Sequence, residues 1–254
     1  MRAWALILGL TALGACSKLR EVKRQSTPPE APVQAASAPV AAASPPPSSA
    51  PTPSLRRRYR VLALGDSITD QRVGGGGYLR ELGRACPLSH FEHFGRGGDM
   101  VNQMRRRFEQ EIPSRRGDYD TLIVYGGVND LYSDQTAGRT NDLIENDLSA
   151  IYRQAKDWGL RVVAITVSPW GGFARYFNER RSRSTRLLNS WIQGTAASGL
   201  TDVVVDSYPL LSCGDAERLC PEYETGSHDG LHPGPAGHAL LGQALLERAF
   251  SDCE

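Results

Sequence analysis

Three short segments carry residue types that can do chemistry together. Gly65-Asp66-Ser67 follows the apolar run from Tyr59 to Leu64, Gly127-Val128-Asn129-Asp130 follows the run from Thr121 to Tyr125, and Asp229-Gly230-Leu231-His232 lies near the C-terminus. A serine hydroxyl is a poor nucleophile until a base takes its proton. His232 is such a base, and Asp229, three residues earlier across a glycine, can fold back to accept the Nδ1 proton and leave Nε2 facing the nucleophile. Gly230 and Pro233 keep this segment out of a helix. Asn129, placed after Gly126-Gly127, offers a side-chain amide, and the loop Phe94-Gly95-Arg96-Gly97-Gly98-Asp99 offers backbone N–H groups. Donors set in advance around a developing oxyanion are each worth about 10²–10³ in rate. The candidate donors are the N–H of Ser67, the N–H of Gly98 and the amide of Asn129. Taken together, these parts are those of ester cleavage through an acyl-enzyme.

Each part also has a plain structural reading. Serine often caps a helix, a loop aspartate often caps a turn, and an asparagine or glycine at a strand end can simply form the turn. Only the combination points to catalysis. A metal centre is disfavoured, because the glutamate of a zinc-protease motif is absent around His228, His232 and His238, and Gly230 and Pro233 block the helix such a motif needs. His90 and His93 flank Phe91-Glu92 and read as structural. No cofactor is called for.

The elements that must position these residues alternate short apolar runs with longer amphipathic ones. Strands are expected from Tyr59 to Leu64, Ser89 to Phe94, Thr121 to Tyr125, Leu160 to Val167 and Asp202 to Asp206. Helices are expected around Tyr78 to Cys86, Asp99 to Ile112, Asn141 to Trp158, Ser182 to Ser198 and Ala236 to Phe250, with a further helix beginning at Ser67. Continuously apolar strands separated by helices imply a parallel sheet covered on both faces. Right-handed crossovers then gather the strand C-termini, and all three motifs, along the edge where such sheets bind ligands. Ser168-Pro169-Trp170-Gly171-Gly172-Phe173-Ala174-Arg175-Tyr176-Phe177 follows the fourth strand. Its aromatic rings and Arg175 either line an acyl or leaving-group pocket or only pack a helix end.

The motif set resembles the SGNH (GDSL-like) hydrolase superfamily over essentially Tyr59 to Phe250. Its first block corresponds to Gly65-Asp66-Ser67 with Ile68 in place of the usual leucine, its second to the glycine of Gly98-Asp99, its third to Gly127-Val128-Asn129-Asp130 and its last to Asp229-Gly230-Leu231-His232. The resemblance implies a flavodoxin-like three-layer α/β/α sandwich, a triad of Ser67, Asp229 and His232, and an oxyanion hole of Ser67, Gly98 and Asn129. The asparagine often found shortly before the second-block glycine is missing, and Gly97 adjoins Gly98, so either glycine can be the donor. The implied activity is hydrolysis of O-acyl esters. An O-acyltransferase acting on cell-envelope sugars and a non-catalytic envelope-binding module are the alternatives on the same scaffold.

Outside this domain the sequence is of another kind. Met1-Arg2 and the apolar stretch to Ala15 read as a signal peptide, too short to span a bilayer, which takes about 20 apolar residues. Leu13-Gly14-Ala15-Cys16 resembles a bacterial lipobox, which implies lipidation of Cys16, a membrane anchor at the N-terminus and an outer-membrane lipoprotein. An ordinary cleaved signal is the other reading. Residues 26–54 are almost entirely Pro, Ala, Ser, Thr and Val and cannot offset the entropy of ordering, so residues 16–58 are expected to be a linker. Its reach lies between roughly 30 Å and about 100 Å. The folded domain is expected at 59–254.

Lysine and arginine total 29 against 28 acidic residues, a net charge of +1, so nothing draws this chain to nucleic acid. Arg105-Arg106-Arg107 is expected to be a solvated helix face. Apart from Cys16 there are four cysteines, an even number that permits disulfides in an exported protein. Cys213 and Cys220 flank a short polar loop and form the better pair, which leaves Cys86 with Cys253; free buried thiols are the alternative.

Overall fold

The computed structural model describes residues 56–254. The expected signal peptide, the lipidated Cys16 and almost all of the linker lie outside the described residues. Arg57 already pairs with the C-terminus, its N–H donating to the Asp252 carbonyl at 2.8 Å and its carbonyl accepting from Glu254 at 3.0 Å.

The strands are β1 (Arg60–Gly65), β2 (His90–Gly95), β3 (Thr121–Tyr125), β4 (Arg161–Ile165) and β5 (Val203–Val205). They form one parallel sheet in the order β2-β1-β3-β4-β5. This is the flavodoxin-like doubly wound order, whose switch point lies between β1 and β3. Alternation along the strands builds two cores. Leu62, Leu64, Leu122, Val124, Val162 and Ala164 face one side, while Val61, Ala63, Ile123, Tyr125, Val163 and Ile165 face the other.

Helices α1 (Gly77–Ala85), α2 (Val101–Glu111), the short α3 (Val128–Tyr132), α4 (Asn141–Asp157), α5 (Glu179–Ala197), the short α6 (Ser207–Leu210) and α7 (Pro235–Ala249) complete the layers. α2, α4 and α5 cover the first face through Met104, Phe108, Ile144, Leu148, Leu188 and Ile192; α1 and α7 cover the second through Tyr78, Leu82, Leu241 and Leu245. Full burial of each such side chain contributes about 1.5–3 kcal/mol. Local signals set the helix starts. The Thr140 and Asn178 side chains accept from the N–H groups of Leu143 and Arg181, and Pro235 opens α7 where no N–H is needed.

Several features differ from the sequence expectation, among them the short helices α3 and α6. A two-stranded antiparallel hairpin, β6 (Ser212–Cys213) with β7 (Asp215–Leu219), stands apart from the main sheet. The arginine cluster is not a solvated face. Arg106 is exposed, but Arg107 is 5% exposed and Arg105 half-buried, pairing with Asp147 at 3.0 Å. Arg107 shares the buried helix face of Val101, Met104 and Phe108, and an ion pair with Asp99 makes that burial tolerable. Cys86 is bonded to Cys253, and Cys213 to Cys220, which closes the hairpin. No helix among the described residues is long and apolar enough to cross a membrane.

Candidate active site

The three motifs meet at the C-terminal edge of the sheet, beside the switch point. Ser67 follows β1, but it does not open a helix as expected from the sequence. The Asp66 carbonyl accepts from the N–H groups of Thr69 and Asp70, closing a single turn, and α1 begins ten residues after Ser67. The turn is clamped from below: the Ile68 N–H donates to Asp66 Oδ1 at 3.0 Å.

His232 reaches Ser67 from the far end of the chain. Its Nε2 lies 2.9 Å from Ser67 Oγ, and its Nδ1 lies 2.7 Å from Asp229 Oδ2. The other carboxylate oxygen, Oδ1, accepts the N–H groups of Leu231 and His232, each at 2.9 Å. Burial works to raise the Asp229 pKa, but these N–H groups and the imidazole outweigh it and hold the carboxyl below its usual range. Asp229 is therefore ionised and fixes His232 in the Nδ1–H tautomer, with the Nε2 lone pair toward the serine. The fold-back depends on Gly230, which sits at φ +73° and packs so closely on Gly172 that a Cβ would lie 2.0 Å from its carbonyl carbon. His228 and His238 do not join His232: His228 is exposed beside Glu224, and His238 is buried against Tyr78.

The donor side is built from two loops. Asp70 Oδ2 accepts the Gly97 N–H at 3.0 Å, while its carboxylate also grips the Arg72 guanidinium at 2.8 and 2.9 Å. The Arg72 hydrogen bonds, aided by the Gly97 N–H, pull the Asp70 pKa down to about 2. Gly97 thus has its N–H occupied. Gly98, at φ +80°, is exposed, and among the described residues neither its N–H nor that of Ser67 has a protein acceptor. Of the two adjacent glycines, Gly98 is the one with a free donor.

Asn129 is buried in the first turn of α3, and its Nδ2 donates to the Asp99 carbonyl at 2.9 Å. The nearest acceptor for its second hydrogen is Asp66 Oδ2 at 3.4 Å, longer than a normal N–H···O bond. The amide, expected to aim at the site, is also braced by the Asp99 carbonyl of the Gly98 loop, with one hydrogen weakly held.

Sequence reasoning gave no role to the groups beneath the site. Arg107 donates to Asp99 Oδ2 at 2.7 Å, to the Phe94 carbonyl at 2.9 Å and to the Gly65 carbonyl at 3.1 Å, tying the Ser67 turn to the Gly98 loop. Its place at helical spacing from Val101 and Met104 was the available signal. Asp66 is fully buried, and burial raises its pKa to about 7 against the opposing Ile68 N–H. Nothing in the pattern Gly-Asp-Ser announces that shift.

A cavity of about 390 Å³ opens beside the serine and is lined by Ser67, Ile68, Val73, Thr225, His232 and His238 among others. Trp170 does not reach it. The indole is fully buried, donates to Thr185 Oγ1 at 3.0 Å and packs edge-on against Phe177. Phe173 and Tyr176 cluster with Tyr132, and they too lie outside the cavity wall.

A sequence profile of the GDSL-like Lipase/Acylhydrolase family matches residues 63–240, a span that holds all three motifs. The chain belongs to this family. As a GDSL-like acylhydrolase it is an ester-bond hydrolase. No curated protein matches it in sequence. Solved structures share the acylhydrolase fold at low identity. A GDSL-like lipase from Bacteroides thetaiotaomicron superimposes with a TM-score of 0.62 at 20% identity, covering 74% of this chain and 86% of that one. An acetyl xylan esterase gives 0.59 at 19% identity, covering 74% and 98%. A variant of an acetyl-xylooligosaccharide esterase from Geobacillus gives 0.59 at 19%, covering 79% and 99%.

Proposed function

We propose that this chain is a serine esterase for short O-acyl groups, with Ser67 as nucleophile, His232 as general base and then acid, and Asp229 as the group that orients and stabilises the imidazolium. The observation that carries the reading is the continuous relay from Ser67 Oγ to His232 Nε2 at 2.9 Å and from His232 Nδ1 to Asp229 Oδ2 at 2.7 Å. His232 takes the hydroxyl proton as Ser67 attacks the ester carbonyl. The N–H groups of Ser67 and Gly98 receive the developing oxyanion, and the weakly held hydrogen of Asn129 completes the set. Collapse of the tetrahedral intermediate passes the proton from His232 to the departing alcohol. Water, deprotonated by the same imidazole, then releases the acid.

The names of similar solved structures are what favour a short acyl group. Two of the similar solved structures carry the names of acetyl esterases. Hydrolysis is favoured over acyl transfer because Gly97 and Ser227, on the cavity wall, are solvent-exposed and leave water a route to the acyl-enzyme.

Turnover of p-nitrophenyl acetate by purified protein, with and without sugar acceptors, tests this. Acid release that is unaffected by acceptors and abolished in Ser67→Ala supports the proposal; an acetylated acceptor as the main product contradicts it. The proposal includes the N-terminal anchor. Cys16→Ser is expected to move the protein from the membrane to the soluble fraction, and unchanged partitioning would remove lipidation from the account.

A further inference from the structure

We propose that the cavity beside Ser67 and His232 receives the alcohol half of the ester as a hydroxylated, sugar-like group, and that the Nε2–H of His238 donates a hydrogen bond to one of its oxygens. This rests on the serine-esterase reading and names a substrate class for that site.

His238 lies in the first turn of α7, 4% exposed, yet it lines the cavity. Packing fixes the ring. Tyr78 stacks on it with centroids 6.0 Å apart, and a Cβ on Gly77 would lie 2.7 Å from His238 Cγ and 2.8 Å from Cδ2, so the Gly77 backbone closes that side. Nδ1 is sealed from solvent without any partner. A buried donor left without an acceptor is more costly than an unused lone pair, so the proton belongs on Nε2. No group among the described residues hydrogen-bonds to Nε2, which leaves this N–H for whatever enters the cavity. Burial, with help from Arg80 and His232, lowers the His238 pKa to about 4, so the ring is neutral near pH 7. A neutral donor suits a hydroxyl or ring oxygen better than an anion, which a cation would serve.

The rest of the wall agrees. The Thr225 and Ser227 hydroxyls, paired at 2.7 Å, supply polar contacts, while Ile68, Val73 and Pro233 supply aliphatic surface. A sugar ring has polar edges and apolar C–H faces to match both. Gly98 and Asn129, the donors on the oxyanion side, do not line this cavity, whereas His232, which returns a proton to the leaving oxygen, does. The space on the His232 side therefore belongs to the alcohol.

Two measurements test the proposal. In ¹⁵N-labelled wild-type protein, imidazole ¹H–¹⁵N correlations near pH 7 should show His238 as the neutral Nε2–H tautomer, with its Nε2 signal shifting on titration with methyl glucoside. An Nδ1–H tautomer, or an Nε2 signal that does not move up to the solubility limit, overturns it, and this needs no variant to fold. The second readout is the ratio of kcat/KM for O-acetylated methyl glucoside to that for p-nitrophenyl acetate, whose alcohol carries no further hydroxyl. His238→Leu should lower this ratio about tenfold or more, and His238→Gln, which keeps an N–H near the Nε2 position, should retain most of it. A ratio within twofold of wild type in His238→Leu refutes the proposal while fluorophosphonate still labels Ser67. Absence of labelling in folded wild-type protein instead defeats the esterase reading beneath it.

Discussion

Arg107→Met cuts the tie that holds the Ser67 turn against the Gly98 loop. The guanidinium makes hydrogen bonds at 2.7, 2.9 and 3.1 Å to Asp99 and to the carbonyls of Phe94 and Gly65. The Arg107 and Asp99 side chains are only 6% and 8% exposed. Removing one partner of such a buried pair costs about 3–5 kcal/mol, because the remaining carboxylate has no compensation. In a domain of this size each kcal/mol lowers Tm by about 2–4 °C, so the variant should melt about 10 °C below wild type. Asp99→Asn in the same chain removes the stranded charge and should recover part of the loss, a coupling of about 1–3 kcal/mol in a double-mutant cycle. Thermal unfolding followed by circular dichroism reads the stability. Turnover of p-nitrophenyl acetate below both melting temperatures reads the positioning, since the Asp99 carbonyl also braces Asn129 at 2.9 Å. Activity should fall with KM little changed. A variant that melts within about 2 °C of wild type and keeps full kcat would show that the tie does neither job.

Three other outcomes follow from the same geometry. Asp229→Asn should lower kcat by about 10³–10⁴ with modest change in KM, since the imidazole loses its orienting carboxylate; a loss under tenfold would exclude Asp229 from the relay. Burial raises Asp66 from the usual 3.8 to about 7, so the folded protein holds a proton that the unfolded chain releases. Stability from this group is full below about pH 4 and is lost as pH rises through about 7. The Tm of Asp66→Asn relative to wild type should therefore climb between pH 5 and pH 8, and a pH-independent difference would show that Asp66 titrates normally. Cys86 and Cys253 are 167 residues apart, so chain-entropy reasoning assigns their bond about 5 kcal/mol. Replacing both by serine should lower Tm by about 10 °C or more, whereas a change of a degree or two would mean the unfolded chain gains little freedom.

The elements with strong periodicity were legible in the sequence. Thr121–Tyr125 is a strand with the expected bounds, and the helix from Asn141 ends one residue before expected, because unbroken apolar or 3.6-residue patterns allow one solution. The hairpin around Gly214 was not, since Asp215-Ala216-Glu217-Arg218-Leu219 has no apolar face and is held by local pairing and a disulfide. The Ser67 turn was misread as a helix start because its termination depends on tertiary contact: Gly95 leaves no room for a Cβ beside Asp70 and Thr69. At the site, the residue types and their order were readable. Which glycine keeps a free N–H was not, because Asp70 reaches Gly97 across 27 residues of sequence. Arg107 was hidden by a composition bias, as three adjacent arginines look solvated unless the helix phase is counted.

Covalent labelling tests the central claim most directly. A fluorophosphonate incubated with the folded protein should give a single adduct by intact mass, mapped to the Ser67 peptide. It should be absent in Ser67→Ala and greatly slowed in His232→Ala. An adduct on another residue, labelling that persists in Ser67→Ala, or none in the folded wild-type protein would contradict the account.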